Sequence, residues 1–187
     1  MEQKAIEKRS VNPVAAEIFG KAGEEFCLRK AVVGDVEAIQ KLISGFASSN
    51  IMLPRGPQYI YENLRDFVIV ERVGDGQNGD AGEGAIAACG SLHVLWIDQA
   101  ELRSISVHPN YQKHGLGTRI VRYLIDEARS LGLHKVYAFT LVEEFFSRMG
   151  FVRKQKDELP SKLWSECSQC PKYFICDEVG LVLDILM

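Results

Sequence analysis

The sequence predicts an α/β (α+β) fold, a mixed β-sheet flanked by helices. Strand-like apolar stretches alternate with helix-like ones, some strand pairs sit close enough to be hairpins, and amphipathic segments separate others as crossovers. Hairpins and crossovers together require a sheet of mixed direction. The chain has 187 residues, 47% of them hydrophobic, and can bury one sizeable core.

Residues 1–25 are polar and only weakly periodic, with Pro13, Gly20 and Gly23, and read as an N-terminal arm without assigned chemistry. The domain proper is expected at 26–187. Residues 26–31 are its first strand. Gly34-Asp35 then opens a helix whose apolar stripe is Val36, Ile39, Leu42, Ile43 and Phe46. A turn-like Leu53-Pro54-Arg55-Gly56-Pro57 leads to a short helix at 58–64, followed by a strand at 67–73. Residues 74–84, rich in Gly, Asp and Asn, cannot bury an apolar face and form a hairpin loop into a strand at 85–96. The next strand, 101–107, alternates Leu102, Ser104 and Ser106 against Arg103, Ile105 and Val107.

After a loop at 108–116 comes the clearest helix. Ile120, Val121, Leu124, Ile125, Ala128 and Leu131 lie on its apolar face, Arg119, Arg122, Asp126, Glu127 and Arg129 on the other, and Gly132 stops it. A strand at 135–140, a short helix at 143–149 ended by Gly150, and strands at 151–154 and 179–186 complete the order.

The 22 basic and 25 acidic residues leave a formal charge of −3, too weak a field to gather nucleic acid or an anionic membrane, so neither is expected as a partner. No apolar run reaches the roughly 18 to 20 residues of a membrane span, and the charged start lacks a signal-peptide core, which predicts a cytoplasmic protein. The five cysteines are odd in number, with Cys167, Cys170 and Cys176 crowded in a segment at 159–178, which favours reduced thiols over a secretory disulfide framework. Cys167-x2-Cys170-x5-Cys176 could also offer zinc three thiolates, with Cys27, Cys89 or Asp177 needed to complete the set; no metal is the expectation.

One segment carries chemistry on its face. Val107-His108-Pro109-Asn110-Tyr111-Gln112-Lys113-His114-Gly115-Leu116-Gly117-Thr118 runs from a strand end into a helix start. The N–H groups of a first helical turn have no partner within the helix, the helix dipole adds about half a positive charge there, and glycines let a bulky pyrophosphate approach. The segment lacks the Gly-Lys-Ser/Thr ending of a Walker loop, and Ile120 stands where a Rossmann fingerprint has its third glycine. An empty strand-to-helix turn is the competing reading.

The spacing Gln112-x-x-Gly115-x-Gly117 resembles the Gln/Arg-x-x-Gly-x-Gly/Ala acetyl-CoA loop of the GNAT superfamily of N-acetyltransferases, and Glu144-Phe145-Phe146-Ser147-Arg148-Met149-Gly150-Phe151 resembles that superfamily's second signature. The resemblance covers about residues 27–186. It implies a GNAT-like sheet splayed between its two central strands, here 101–107 and 135–140, with acetyl-CoA as cosubstrate. Ser106 and Val107 would pair with the pantetheine arm, while Gln112, Lys113, His114, Gly115, Leu116, Gly117 and Thr118 would hold the pyrophosphate.

Finer matches resemble the short, stand-alone form of N-acetylglutamate synthase: Leu53-Pro54-Arg55, Glu101-Leu102-Arg103-Ser104-Ile105-Ser106-Val107, Tyr137-Ala138-Phe139-Thr140 and the cysteine-bearing tail from Leu159 to Glu178. That resemblance implies an amino-acid acceptor, an arginine-biosynthetic role and Glu101 as base, with Thr140 as a hydroxyl helper. A carboxylate acceptor needs cations, and Arg55 offers a planar fork, with Arg103 or Lys162 as the second. A solvated loop arginine and a strand-end surface carboxylate are the competing readings of Arg55 and Glu101. Phe145 and Phe146 depart from the superfamily's common tyrosine in this region. A homodimer is left open, as are another small amine such as glutamine as acceptor and a silent acetyl-CoA sensor.

Overall fold

The computed structural model describes residues 16–21, 24–73, 86–155, 158–160 and 173–185. The chain runs through β1 (Glu17–Lys21), β2 (Glu24–Lys30), α1 (Val36–Ala47), α2 (Pro57–Glu62), β3 (Phe67–Val73), β4 (Ile86–Trp96), β5 (Gln99–Val107), α3 (Leu116–Ser130), β6 (Lys135–Thr140), α4 (Glu143–Ser147), β7 (Val152–Lys154) and β8 (Val179–Asp184). These strands form one sheet in the order β1-β2-β3-β4-β5-β6-β8-β7. The β5–β6 pair is parallel and the others are antiparallel. A parallel neighbour needs a crossover, and α3 provides it.

The expected elements are present with ends moved by a residue or two, apart from one addition. Residues 17–21, read as arm from their polarity, pair as edge strand β1 with β2. Phe19 stacks on Phe26, and Arg119 of α3 lies over the Phe19 ring at 4.0 Å and pairs with Glu17. Tertiary contacts supply what a short, two-sided polar strand cannot show in its own periodicity.

Helices cover both faces. The apolar stripe of α3, with Ile120, Val121, Leu124, Ile125 and Ala128, packs with Val68, Val70, Leu102 and Ala138 on one face of the sheet. On the other, Val36, Ile39, Leu42 and Ile43 of α1 and Ile60 of α2 pack with Phe67, Ile69 and Cys89. The sheet is therefore the middle layer of three.

The sheet opens at its centre. β5 and β6 pair only from Gln99↔Lys135 to Leu102↔Ala138, after which Phe139 and Thr140 pair with β8 alone. Just beyond that point β5 carries a bulge against β4, where the register passes from Ser91↔Arg103 to Cys89↔Ser106 and Ser104 has φ 56°. One extra residue reverses the alternation of the strand. Arg103 and Ser106, assigned to opposite faces by strict alternation, both face α2 and the turn before it, while Ile105 and Val107 pack with Leu102 against α3.

Gly90 lies on β4 opposite the bulge. A Cβ there would meet Ile105 Cδ1 at 2.5 Å and Ile120 Cγ2 at 2.8 Å, so the residue's size sets how closely α3 sits on the sheet. The expected outcome for Gly90→Ala is a loss of about 1 to 3 kcal/mol from overpacking, measured by chemical denaturation; wild-type stability would show that the contact relaxes without cost.

Candidate active site

The loop expected to bind phosphate is shaped by its backbone. Gly115, the residue before α3, has φ 77°, and Lys113 has φ 67°. Gln112 Nε2 donates to the Val107 carbonyl at 3.3 Å and ties the loop to the end of β5. The flanking amides are used: Tyr111 N–H bonds His108 O, Gln112 N–H bonds Pro109 O and Arg119 N–H bonds Gly115 O. Among the described residues, no hydrogen bond takes the N–H of Lys113, His114, Gly115, Leu116, Gly117 or Thr118. Six donors at a helix start without a protein acceptor fit an anionic diphosphate.

Side chains around the loop have other tasks. Leu116 is in the core and can offer only its backbone. A Cβ on Gly117 would meet Phe145 Cζ at 3.4 Å, so α4 packs there against the first turn of α3. Phe146 is buried beside Phe151. The two phenylalanines are thus packing groups. His114 places Nδ1 2.9 Å from Gln112 O and Nε2 3.3 Å from Glu24, joining the loop to the start of β2.

On the opposite face, next to the opening and just before the bulge, lies a polar group. Arg103 is 8% exposed. Its Nε donates to Glu101 Oε2 at 2.8 Å, its Nη2 lies 2.7 Å from the same oxygen, and its Nη1 donates to the Tyr59 hydroxyl at 3.3 Å. Arg55 carries its guanidinium carbon 4.1 Å from the centre of the Tyr59 ring. Glu101, Arg103 and Arg55 are thus brought together, and Tyr59, absent from the sequence reading, connects them. Its position four residues after Arg55 was the available signal.

The Ser106 hydroxyl lies 3.2 Å from Ser104 O and 3.4 Å from Met52 Sδ, on the face of α1 and α2. Beneath it, burial pushes the Cys89 thiol up to about 12, so it stays protonated at neutral pH. Across the opening, Thr140 is 7% exposed and its Oγ1 accepts the Val142 N–H at 3.0 Å, which leaves its O–H to donate. A small pocket next to these groups is lined by Asn50, Ile51, Met52, Leu53, Leu141, Cys176, Asp177 and Glu178. Lys162, Cys167 and Cys170 lie outside the described residues. Cys176 is a free, half-buried thiol, and the described residues hold no group of three metal-ligating side chains.

A mixed sheet that parts between parallel central strands, beside a helix start with unclaimed amides, is the architecture of an acetyl-CoA-dependent transferase. The acetyltransferase (GNAT) family profile matches residues 46–151, more than half of the chain, which therefore belongs to that family. It is an N-acetyltransferase that uses acetyl-CoA.

The chain is 34% identical over 148 residues to the amino-acid acetyltransferase of Mycobacterium tuberculosis, covering 79% of each. A Mycobacterium tuberculosis structure in complex with CoA and NLQ is 29% identical, with a TM-score of 0.69 over 85% of this chain and 99% of that one. N-acetylglutamate synthase from Neisseria gonorrhoeae, complexed with coenzyme A and N-acetyl-glutamate, is 25% identical, with a TM-score of 0.74 over 87% of this chain but only 35% of that one.

The left-handed turn at Gly115 gives a direct test of the loop. A Cβ there meets nothing within 4 Å, so Gly115→Ala acts through backbone conformation alone. Alanine lets the free loop leave the left-handed region, and regaining the turn to bind costs about 1 to 2 kcal/mol, so coenzyme A affinity by calorimetry should fall about tenfold; unchanged affinity would detach the turn from binding.

Proposed function

We propose that this enzyme transfers the acetyl group of acetyl-CoA to the α-amino group of L-glutamate, the N-acetylglutamate synthase reaction that opens arginine biosynthesis, in the cytoplasm. The observation that carries this reading is the convergence of a carboxylate, Glu101, and two guanidinium groups, Arg103 and Arg55, at the side of the strand opening. An amino dicarboxylic acid needs both: a base for its ammonium and cations for its carboxylates. The amino-acid acetyltransferase among the relatives supports the same acceptor class.

Acetyl-CoA supplies the activated acetyl group. In this reading the amides from Lys113 to Thr118 hold its diphosphate, and Ser106 and Val107 lie along its pantetheine arm. β5 beyond Leu102 has no β6 partner, so backbone groups on that edge are available to the thioester. An α-amino group is largely protonated at pH 7, and Glu101 collects its proton directly or through one water. Arg55 takes an acceptor carboxylate, and Arg103 or Lys162 takes the second. Nitrogen bonds to the acetyl carbon, the carbon–sulfur bond breaks, and the Thr140 hydroxyl donates toward the departing sulfur. The protonated, fully buried Cys89 is unsuited to carrying the acetyl group, which favours direct attack.

One observation favours a second reading. Asp177 and Glu178 line the pocket beside the opening, and carboxylates there favour a neutral side-chain amide, as in glutamine, over a second negative charge.

Release of CoA thiol measured across the amino acids decides between these readings. The first expects glutamate to give the highest kcat/KM, the second glutamine, and no release with any amino acid overturns both. For the productive acceptor, Glu101→Gln should lower kcat by about 100-fold or more. Arg55→Ala should raise acceptor KM about tenfold or more while acetyl-CoA KM stays within about twofold; equal changes in both would remove Arg55 from the acceptor site.

A further inference from the structure

Arg55 sits in a turn between α1 and α2 that has neither helical nor strand hydrogen bonding, whereas Glu101 and Arg103 sit on a central strand. A mobile support would leave the Arg55 guanidinium poorly placed relative to the pair on β5. Tyr59 restricts that freedom. It stands on α2 one turn after Arg55, its half-buried ring packs among α1 and α2 side chains, and its two ends serve two different arginines. The π-face carries Arg55, 4.1 Å from ring centre to guanidinium carbon. The hydroxyl, at the far end of the same rigid ring, accepts from Arg103 Nη1 at 3.3 Å, and Arg103 grips Glu101 with Nε and Nη2.

We propose that Tyr59 is a positioning residue that sets the distance between the Arg55 guanidinium and the Glu101–Arg103 pair, and through that distance selects the chain length of the amino-acid acceptor. The inference rests on the reading of Arg55 and Glu101 as acceptor-site groups. A phenol has two rotatable side-chain bonds and a fixed length, so it works as a spacer where a flexible side chain would not. The side-chain carboxylate or amide of the acceptor is held at Arg55 while its α-amine must reach Glu101. The spacing fixed by the ring then decides whether a side chain of one or two methylenes fits. Ring and hydroxyl have separable roles: the ring places Arg55, and the hydroxyl steadies Arg103 and hence Glu101.

The test compares Tyr59→Phe, which keeps the ring, with Tyr59→Leu, which removes it. Steady-state kinetics are read for acetyl-CoA and for two acceptor pairs differing by one methylene, glutamate with aspartate and glutamine with asparagine. In Tyr59→Leu the acceptor KM should rise about tenfold or more, and the kcat/KM preference for the longer member of the productive pair should shrink about tenfold, with acetyl-CoA KM within about twofold of wild type. In Tyr59→Phe the chain-length preference should persist while kcat falls about fivefold or more. An undiminished preference in Tyr59→Leu, or acetyl-CoA and acceptor KM values rising together in both variants, overturns the proposal.

A second readout needs no acceptor. Arginine Nε–H resonances of the protein should broaden or shift at Arg103 in Tyr59→Phe, and at both Arg55 and Arg103 in Tyr59→Leu. If the wild-type enzyme acetylates no amino acid, the acceptor reading has failed, and the chain-length role falls with it. Unmoved arginine resonances in both variants overturn the spacer itself, even where the enzyme is active on amino acids.

Discussion

The extra residue at Ser104 fixes what β5 can do. Before it the strand is a conventional parallel partner of β6; beyond it the ladder to β6 does not resume. The same residue shifts the phase of the side chains, so Arg103 and Ser106, three apart, share a face that an unbroken strand would split between two. A single backbone irregularity, a serine at φ 56°, thus sits where the ladder to β6 stops and brings Ser106 onto the polar face of Arg103. Left-handed conformation is uncommon for a residue with a side chain, and it is found where surrounding structure holds it in place. Here Ser106 and Cys89 both lie against the Ser104 carbonyl.

The two halves of the site follow from this arrangement. On one face, Ile105 and Val107 join Leu102 in carrying α3, whose start is the unclaimed run of amides. On the other, Glu101, Arg103 and Ser106 meet Tyr59 and Met52. In the proposed reading, donor and acceptor groups therefore approach the gap from different layers of the same sandwich. β5 is the element common to both. Gly90, opposite the bulge, lets α3 pack closely on the sheet there.

Much of this was legible in the chain. The stripe of α3 announced a crossover helix, and Gln112-x-x-Gly115-x-Gly117 announced the left-handed turn at its start that the proposed anion site uses, because helix geometry and glycine conformation are local properties. The bulge was harder to read. Strict alternation placed Arg103 with Ile105 and Val107, a charge among aliphatic groups, and that mixture was itself the sign of a phase change, though serine is not the residue expected at positive φ. β1 was missed because its support comes from Phe26 and Arg119, residues close only in space. Tyr59 was half legible: its place four residues after Arg55 hinted at the ring contact, but nothing in the chain order says that its hydroxyl will reach a strand more than 40 positions later.

The account stands on one claim, that the backbone from Lys113 to Thr118 and the unladdered half of β5 together receive the acetyl donor. Amide hydrogen exchange, resolved by residue with and without coenzyme A, reads both surfaces at once. Slowed exchange at 113–118 together with residues 103–107 is the expected result. Binding that protects other amides while leaving these two segments unchanged would contradict it.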